Sequence, residues 1–435
     1  MFERWGLDEG EFGIKEVICE SCVYRDANDV LLCSKYEDEI PSKILLGNEE
    51  CKFFKVKKNI VLDGIMGLAV GDALGVPVEF ESRENLRNNP VKGMMGYGTY
   101  NQPEGTWSDD TSLTLCLLEA LIEREYKVTS LANKFVKWYE KSEYTATGKM
   151  FDIGRSTYDA INRIISGINP VDAGGKSEHD NGNGSLMRIL PLAFYLKDEE
   201  DIEKRVEKIY EVSSITHGHM RSKIACHFYI EMAIRLIKGK SLKDSYLDAV
   251  GIIQEYYKDE EELKYFNRVL SGDIYKLDES EIKSSGYVID TLEAALWCVL
   301  TTNSYKEAVL KAVNLGQDTD TVGAVTGGLV GIYYGMDQIP NEWIEAIKNK
   351  KLIISYIILG LVFILMGSSN NNPSTYMERI FKPIYFKNGI FYYSTIISIV
   401  LVYYSLKNIN DEKKIKYINS FLSRLIVAMK FKSLK

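Results

Sequence analysis

Glycine falls at every fourth position from Gly323 to Gly335 in the stretch NLGQDTDTVGAVTGGLVGIYYG, and this spacing limits what the chain can fold into. Residues four apart stack along one face of an α-helix, so Gly323, Gly327, Gly331 and Gly335 form a ridge without side chains. Each glycine costs a helix roughly 1 kcal/mol relative to alanine. Such a ridge makes sense where another backbone approaches closely. GIMGLAVGDALG, residues 64–75, repeats the spacing with Gly67, Gly71 and Gly75, and Asp72 interrupts its apolar run. Two close-packed helices with acids at or near their ends would frame a hard cation. Small-residue packing beside ordinary surface acids is the competing reading of either stretch alone.

Around this pair the sequence predicts an all-α body. A helix is expected over Val61–Gly75, followed by a bend at Pro77–Glu79 and a loop over 83–107 that ends in GTWSDDT. Ser108 or Asp109 can cap the next helix, Thr111–Glu125, where Leu113, Leu117, Leu118 and Leu121 fit a 3.6 period. Further helices are expected at 129–140, 155–167, 201–214, 219–238, 243–257, 290–300 and 304–314, and alternating β patterns are scarce. With 435 residues, 46% hydrophobic and 26% charged, the chain can bury a large core and still carry accessory segments. Its net charge of −8 argues against nucleic acid as a partner.

Three domains are expected: 1–58, 59–350 and 351–435. The first holds Cys19, Cys22, Cys33 and Cys51, a C-x2-C pair followed by two separated cysteines. The opening residues lack the apolar run of a signal peptide, so reduced or metal-bound thiols are expected rather than disulfides. Four thiolates would close the shell of one structural Zn²⁺, and a small module often needs such a staple. Buried, unliganded cysteines are the alternative. The third domain carries two uncharged runs, Leu352–Gly367 and Gly389–Leu406, at the short end of the length of a membrane span. A basic tail with Ile415, Ile418, Leu422, Leu425 and Met429 at helical spacing follows them. Buried core helices and a partner-binding tail are the alternatives to a membrane hairpin with an amphipathic helix on an anionic leaflet. The basic residues at both ends of the hairpin place those ends, and the 59–350 domain, on the cytoplasmic side.

Chemistry concentrates in two acidic motifs. SDDT at 108–111 and DTDT at 318–321 each put two carboxylates and hydroxyls within one turn. Hard divalent cations take oxygen ligands, and two ions about 3.5–4 Å apart could draw on both motifs and polarise a water. Helix capping is the plain alternative for each. Spacing alone does not make the motifs converge.

The order of motifs resembles the ADP-ribosylglycohydrolase family. They are GIMGLAVGDALGVPVEF, GTWSDDTSL, FDIG, GNGSLMR, ITHGH, GYVIDTLEAALW, NLGQDTDTVGAVTGGLVG and IPNEW, spread over about residues 59–347. The resemblance implies an all-α domain with two Mg²⁺ or Mn²⁺ ions, held by Ser108, Asp109, Asp110, Asp318, Asp320 and Thr321. Ser108 stands where the family often has threonine, and it keeps the hydroxyl. Glu79 matches a family glutamate that binds metal or activates water; without the family it reads as a solvated loop acid. Asp152 matches the carboxylate beside the scissile ribose, and otherwise reads as a helix N-cap. Gly182, Asn183, Gly184, Ser185 and Met187 would line the ADP-ribose site, although GNGSLMR alone is an ordinary tight loop. His217 matches a substrate contact and Tyr287 would stack near the ligand, with core packing as the alternative for both. His219 is expected to be accessory. The implied activity is metal-dependent hydrolysis of the glycosidic bond between ADP-ribose and a protein, arginine-linked first. A membrane-tethered ADP-ribose-binding or structural protein without turnover is the alternative.

Overall fold

The computed structural model describes residues 5–8, 11–14, 59–123 and 126–356. The chain divides into two compact units. In one, Trp5–Asp8 (β1) and Glu11–Ile14 (β2) pair as an antiparallel ladder with Trp5 opposite Ile14, which the scarcity of β patterning did not anticipate. Cys19, Cys22, Cys33 and Cys51 lie outside the described residues, as does most of the third predicted domain.

The other unit contains all of 59–356 and is helical. Its helices are α1 (Ile60–Gly75), α2 (Arg83–Asn88), α3 (Asp109–Ile122), α4 (Val128–Lys141), α5 (Arg155–Ile165), α6 (Pro170–Ala173) and α7 (Pro191–Leu196). They continue with α8 (Ile202–Ser214), α9 (Met220–Ile237), α10 (Leu242–Tyr256), α11 (Val288–Leu300), α12 (Tyr305–Val313), α13 (Thr319–Tyr334) and α14 (Asn341–Ala346). Several boundaries differ from expectation, two of them through a side-chain cap. Residues 83–107 are not all loop, because the Ser82 side chain caps α2 by accepting from Asn85 N at 3.1 Å. α3 begins at Asp109, two residues early, because Ser108 is its N-cap.

α1 and α13 form the centre. Both are hydrophobic all round, as a helix enclosed by others must be, and nearly every residue of each is buried. The glycine ridges face one another. A Cβ on Gly71 would overlap the carbonyl of Gly323, one on Gly67 would overlap that of Gly327, and one on Gly75 would overlap the backbone of Asp320. Contact is therefore backbone on backbone, and only glycine allows it. Tyr305 of α12 and Thr319 of α13 lock the seam, donating to Gly67 O at 2.7 Å and to Gly75 O at 2.8 Å. Residues 60–78 are long and apolar enough to cross a bilayer, yet 89% of that window is buried inside the domain. The close approach brings the N-terminus of α13 against the C-terminus of α1, and α3 starts beside them.

The first predicted span opens inside this unit. Residues 350–356 are helical, Ile353 and Tyr356 are buried, and Tyr356 stacks on Tyr144 with ring centroids 5.8 Å apart.

Candidate active site

Seven carboxylates converge where α1, α3 and α13 meet: Asp72, Glu79, Asp109, Asp110, Asp152, Asp318 and Asp320. Their side chains interact directly or through their fields. Among the described residues none of the seven makes an ion pair with Lys, Arg or His. Burial, then mutual repulsion, pushes the carboxyls of Asp109, Asp110 and Asp320 well above the usual range. The same causes raise Glu79 to about 9. Burial raises Asp152 to about 6 against hydrogen bonds that lower it. Clustered acids with shifts of this size mark a functional site or an absent cation.

Asp72 has a different task from its neighbours. Its Oδ1 accepts from Ser108 N at 2.9 Å, and its Oδ2 accepts from Thr111 N at 3.0 Å and Thr111 Oγ1 at 2.5 Å. A carboxylate of α1 thus caps α3, satisfying N–H groups that a helix start leaves open. Burial raises it to about 7 despite these bonds. Asp72 therefore positions the SDDT motif. Within that motif Ser108 Oγ donates to Asp110 Oδ2 at 3.0 Å, and Thr321 Oγ1 reaches the same oxygen from α13 at 3.4 Å. SDDT and DTDT do converge.

What remains bare is specific. Glu79 Oε2, Asp110 Oδ1, Asp318 Oδ1 and Asp320 Oδ2 are buried without a hydrogen-bond partner. Oxygens of Glu79, Asp318 and Asp320 lie within 4.8 Å of one another, as do oxygens of Asp72, Asp110 and Asp320. An unpaired buried carboxylate is costly, and four together fit oxygen-ligated hard cations better than any protein partner on hand. With no thiolate or imidazole among them, the donor set suits Mg²⁺ or Mn²⁺ over zinc.

Glu79 sits on a pinned turn. Thr99 Oγ1 donates to Glu79 O at 2.7 Å, Phe80 N to Gln317 O at 2.7 Å and Gln317 N to Glu81 O at 2.8 Å. The turn after α1 is thereby stitched to the approach to Asp318. Phe80, Gln317 and Asp152 all adopt positive φ, a conformation that side chains rarely take and that gathers at functional sites. Tyr100 lies against both Glu79 and Asp152, and Asp152 also lies against Asp109.

The GNGSLMR loop reaches the acids through Asn183. Its Nδ2 donates to Asp318 Oδ2 at 2.8 Å and to Thr291 Oγ1 at 2.9 Å. Gly182 pairs with Tyr287 across an isolated bridge, and a Cβ on Gly184 would press within 2.8 Å of His217 Cε1. The N–H groups of Gly184 and Ser185 donate to no acceptor among the described residues. The side chains of Ser185 and Met187 turn inward: Ser185 Oγ accepts from Cys226 Sγ at 3.4 Å, and both residues are buried. Arg188, fully buried, braces the loop through Gly184 O and Val212 O. His217 is buried, and burial followed by the Arg188 charge pushes it down to about 3, so it is neutral. Thr216 Oγ1 lies 2.8 Å from its Nδ1. His219 is the N-cap of α9, and the half-buried Tyr287 hydroxyl meets Arg221 at 3.4 Å.

The model of the ADP-ribosylglycohydrolase family matches residues 56–369. The chain belongs to this family. It is with that family a hydrolase of glycosidic bonds to ADP-ribose. An ADP-ribosylarginine hydrolase Tri1 from Serratia proteamaculans is 33% identical over 294 residues, 66% of this chain and 75% of that protein. An ADP-ribosyl-[dinitrogen reductase] glycohydrolase from Rhodospirillum rubrum is 29% identical over 66% of this chain and 90% of its own length. Among solved structures, an ADP-ribosylglycohydrolase-related protein complex superposes with TM-score 0.59 and 30% identity, over 70% of this chain and 97% of that one. The match reaches past both ends of the eight motifs and leaves the cysteine segment and most of the tail uncovered.

The sequence marks Asp72 of this ADP-ribosylglycohydrolase site as a lone acid in an apolar glycine-spaced helix, without its task of holding SDDT. Tyr100 gives no signal, since nothing in TYNQPEG separates it from other loop tyrosines.

Proposed function

We propose that residues 59–350 remove ADP-ribose from ADP-ribosylated protein by hydrolysing the bond between C1 of the distal ribose and an arginine side chain. The observation that carries this reading is the set of four bare, buried carboxylate oxygens tied through Asn183 to a glycine loop whose Gly184 N–H is unpaired among the described residues. Asp110, Asp318 and Asp320, with Ser108, Asp109 and Thr321, would hold two Mg²⁺ or Mn²⁺ ions. When bound, the ions supply Lewis acidity toward the ribose hydroxyls and water. Asp72 holds the SDDT ligands in register. The backbone N–H of Gly184 offers a point of close approach for diphosphate. Neutral His217 offers a hydrogen-bonding ring that brings no charge. Glu79 and Asp152 flank the Tyr100 hydroxyl, and one of them takes the proton of the attacking water. Arginine leads among acceptors because the Serratia relative is named for that linkage.

The test is ADP-ribose release from an ADP-ribosylarginine protein, with and without divalent metal, beside Asp320→Ala. Metal-dependent release that falls by at least about 10²–10³-fold in the variant is expected. ADP-ribose binding with no release from any acceptor would instead indicate a non-catalytic binding protein.

The reading extends to the chain beyond the domain as a membrane tether that keeps the site at the cytoplasmic face. With Ile353 and Tyr356 packed into the helical unit, the first apolar run keeps eleven residues past Tyr356, about half of a span, while Gly389–Leu406 keeps its eighteen. The second run and the basic tail are therefore the part to delete. Loss of the protein from the membrane fraction is the expected result.

A further inference from the structure

We propose that Phe80, backed by Tyr100, forms the acceptor subsite, with its ring face receiving the arginine guanidinium of the modified protein. The inference rests on the function proposed above and adds where the leaving side chain lies. Phe80 is the most exposed of the large hydrophobic residues described, at 68%. It is also held in place, since φ is +67° and its N–H is bonded to Gln317 O at 2.7 Å. A bulky side chain kept in a left-handed conformation and turned to solvent is a strained arrangement, and packing does not explain it.

Three features identify the occupant. Phe80 directly follows Glu79, so its ring projects at the edge of the acid cluster. The nucleotide cradle reaches that cluster through Asn183, which donates to Asp318. With the distal ribose at the acids and the diphosphate along Gly182–Ser185, the group on the far side of C1 leaves toward the Glu79 turn. The rings then form a row. Phe80 and Tyr100 lie 6.4 Å apart at 58°, and Tyr100 and Phe151 lie 5.2 Å apart at 53°, which carries the row to the residue before Asp152. Finally, the charge is right for a cation. Glu81 and Asp152 border the row, while the nearby guanidinium of Arg83 is turned away onto the carbonyls of Leu315, Glu279 and Ile282. Aromatic faces beside carboxylates favour a planar, weakly hydrated guanidinium over a neutral hydroxyl.

The experiment compares the full chain with Phe80→Asn and Phe80→Trp. Asparagine tolerates the left-handed backbone and removes the ring, so a folding defect does not cloud the result. Each protein is assayed for kcat and KM on an ADP-ribosylarginine peptide and for affinity toward free ADP-ribose. Phe80→Asn is expected to lose about three- to thirtyfold in kcat/KM on the arginine conjugate. Phe80→Trp is expected to retain it, with ADP-ribose affinity unchanged in both. Arginine turnover within twofold of wild type in Phe80→Asn overturns the proposal. A parallel loss of ADP-ribose affinity also overturns it, since the ring would then meet the nucleotide. Failure of the wild-type protein to cleave the arginine conjugate removes the functional reading and this subsite with it, whereas the other failures leave that reading standing.

Discussion

Two groups of carboxylates are buried in this domain, and burial has opposite consequences for them. Glu231 on α9 is fully buried, yet Arg205 Nε reaches it at 2.7 Å, Arg235 NH1 at 2.6 Å and His227 Nε2 at 3.4 Å. Burial pushes its carboxyl up, but the adjoining His227 and Arg205 outweigh that and hold it down at about 2. The seven acids where α1, α3 and α13 meet have no such partners, and burial and repulsion hold Glu79 up at about 9. Burial alone therefore does not tell a structural acid from a functional one. The presence of countercharge does, and the cluster without it is the one whose bare oxygens fit a cation.

The comparison breaks most directly at its two centres. Asp320→Ala, which is expected to remove the site's function, should leave the metal-free fold at least as stable, since it deletes a buried carboxyl that no countercharge compensates. Glu231→Gln should do the reverse. It strands two arginines and is expected to cost about 3 kcal/mol, seen as a lowered denaturation midpoint, while folded protein keeps its kcat. Equal stability losses at both positions would erase the distinction.

A smaller effect is expected at Asp72, which belongs to the cluster by position and to the paired class by its hydrogen bonds. Asp72→Asn keeps the shape but puts an NH2 group where Ser108 or Thr111 needs an acceptor. It should lower divalent-metal affinity by about 10–100-fold, measured by titration calorimetry, because it supports ligands and does not supply a bare oxygen. A loss as large as that of Asp320→Ala would make Asp72 a ligand.

The smallest effect is one of pH. Glu79 at about 9, Asp72 at about 7 and Asp152 at about 6 lie above their unfolded values, so their stabilisation is full below about pH 4 and fades as pH rises through those values. Glu231 is held down, so its contribution is full above its unfolded value and is lost only toward pH 2. Metal-free protein should therefore lose melting temperature between pH 5 and pH 8. Added Mg²⁺ or Mn²⁺ should restore more at pH 8 than at pH 6, because fewer protons compete for the same oxygens. A thermal shift independent of pH would show that the acids are already ionised without the metal.

The resemblance in motif order made the family readable before any coordinates, and periodicity made most helices readable. Boundaries slipped where a side-chain cap intervened: Ser82 starts a short helix in an expected loop, and Ser108 starts α3 two residues early. Partnerships were far less readable. Asn183 meets Asp318 across 135 residues and Thr321 meets Asp110 across 211. No local spacing encodes such distances.

From its sequence alone, this chain determined that two helices must meet on bare glycine faces, because period four is a local property of the backbone and only a neighbour's backbone justifies its cost. It also determined which acids were available, since their types and motif order are written residue by residue. Only the tertiary structure decided which acids are paired and which are bare. Asp72 is satisfied by the start of α3, while Glu79, Asp110, Asp318 and Asp320 each keep an oxygen without a donor. Hydrogen bonds and fields depend on distances of a few ångströms, and packing sets those distances between segments that the chain keeps far apart.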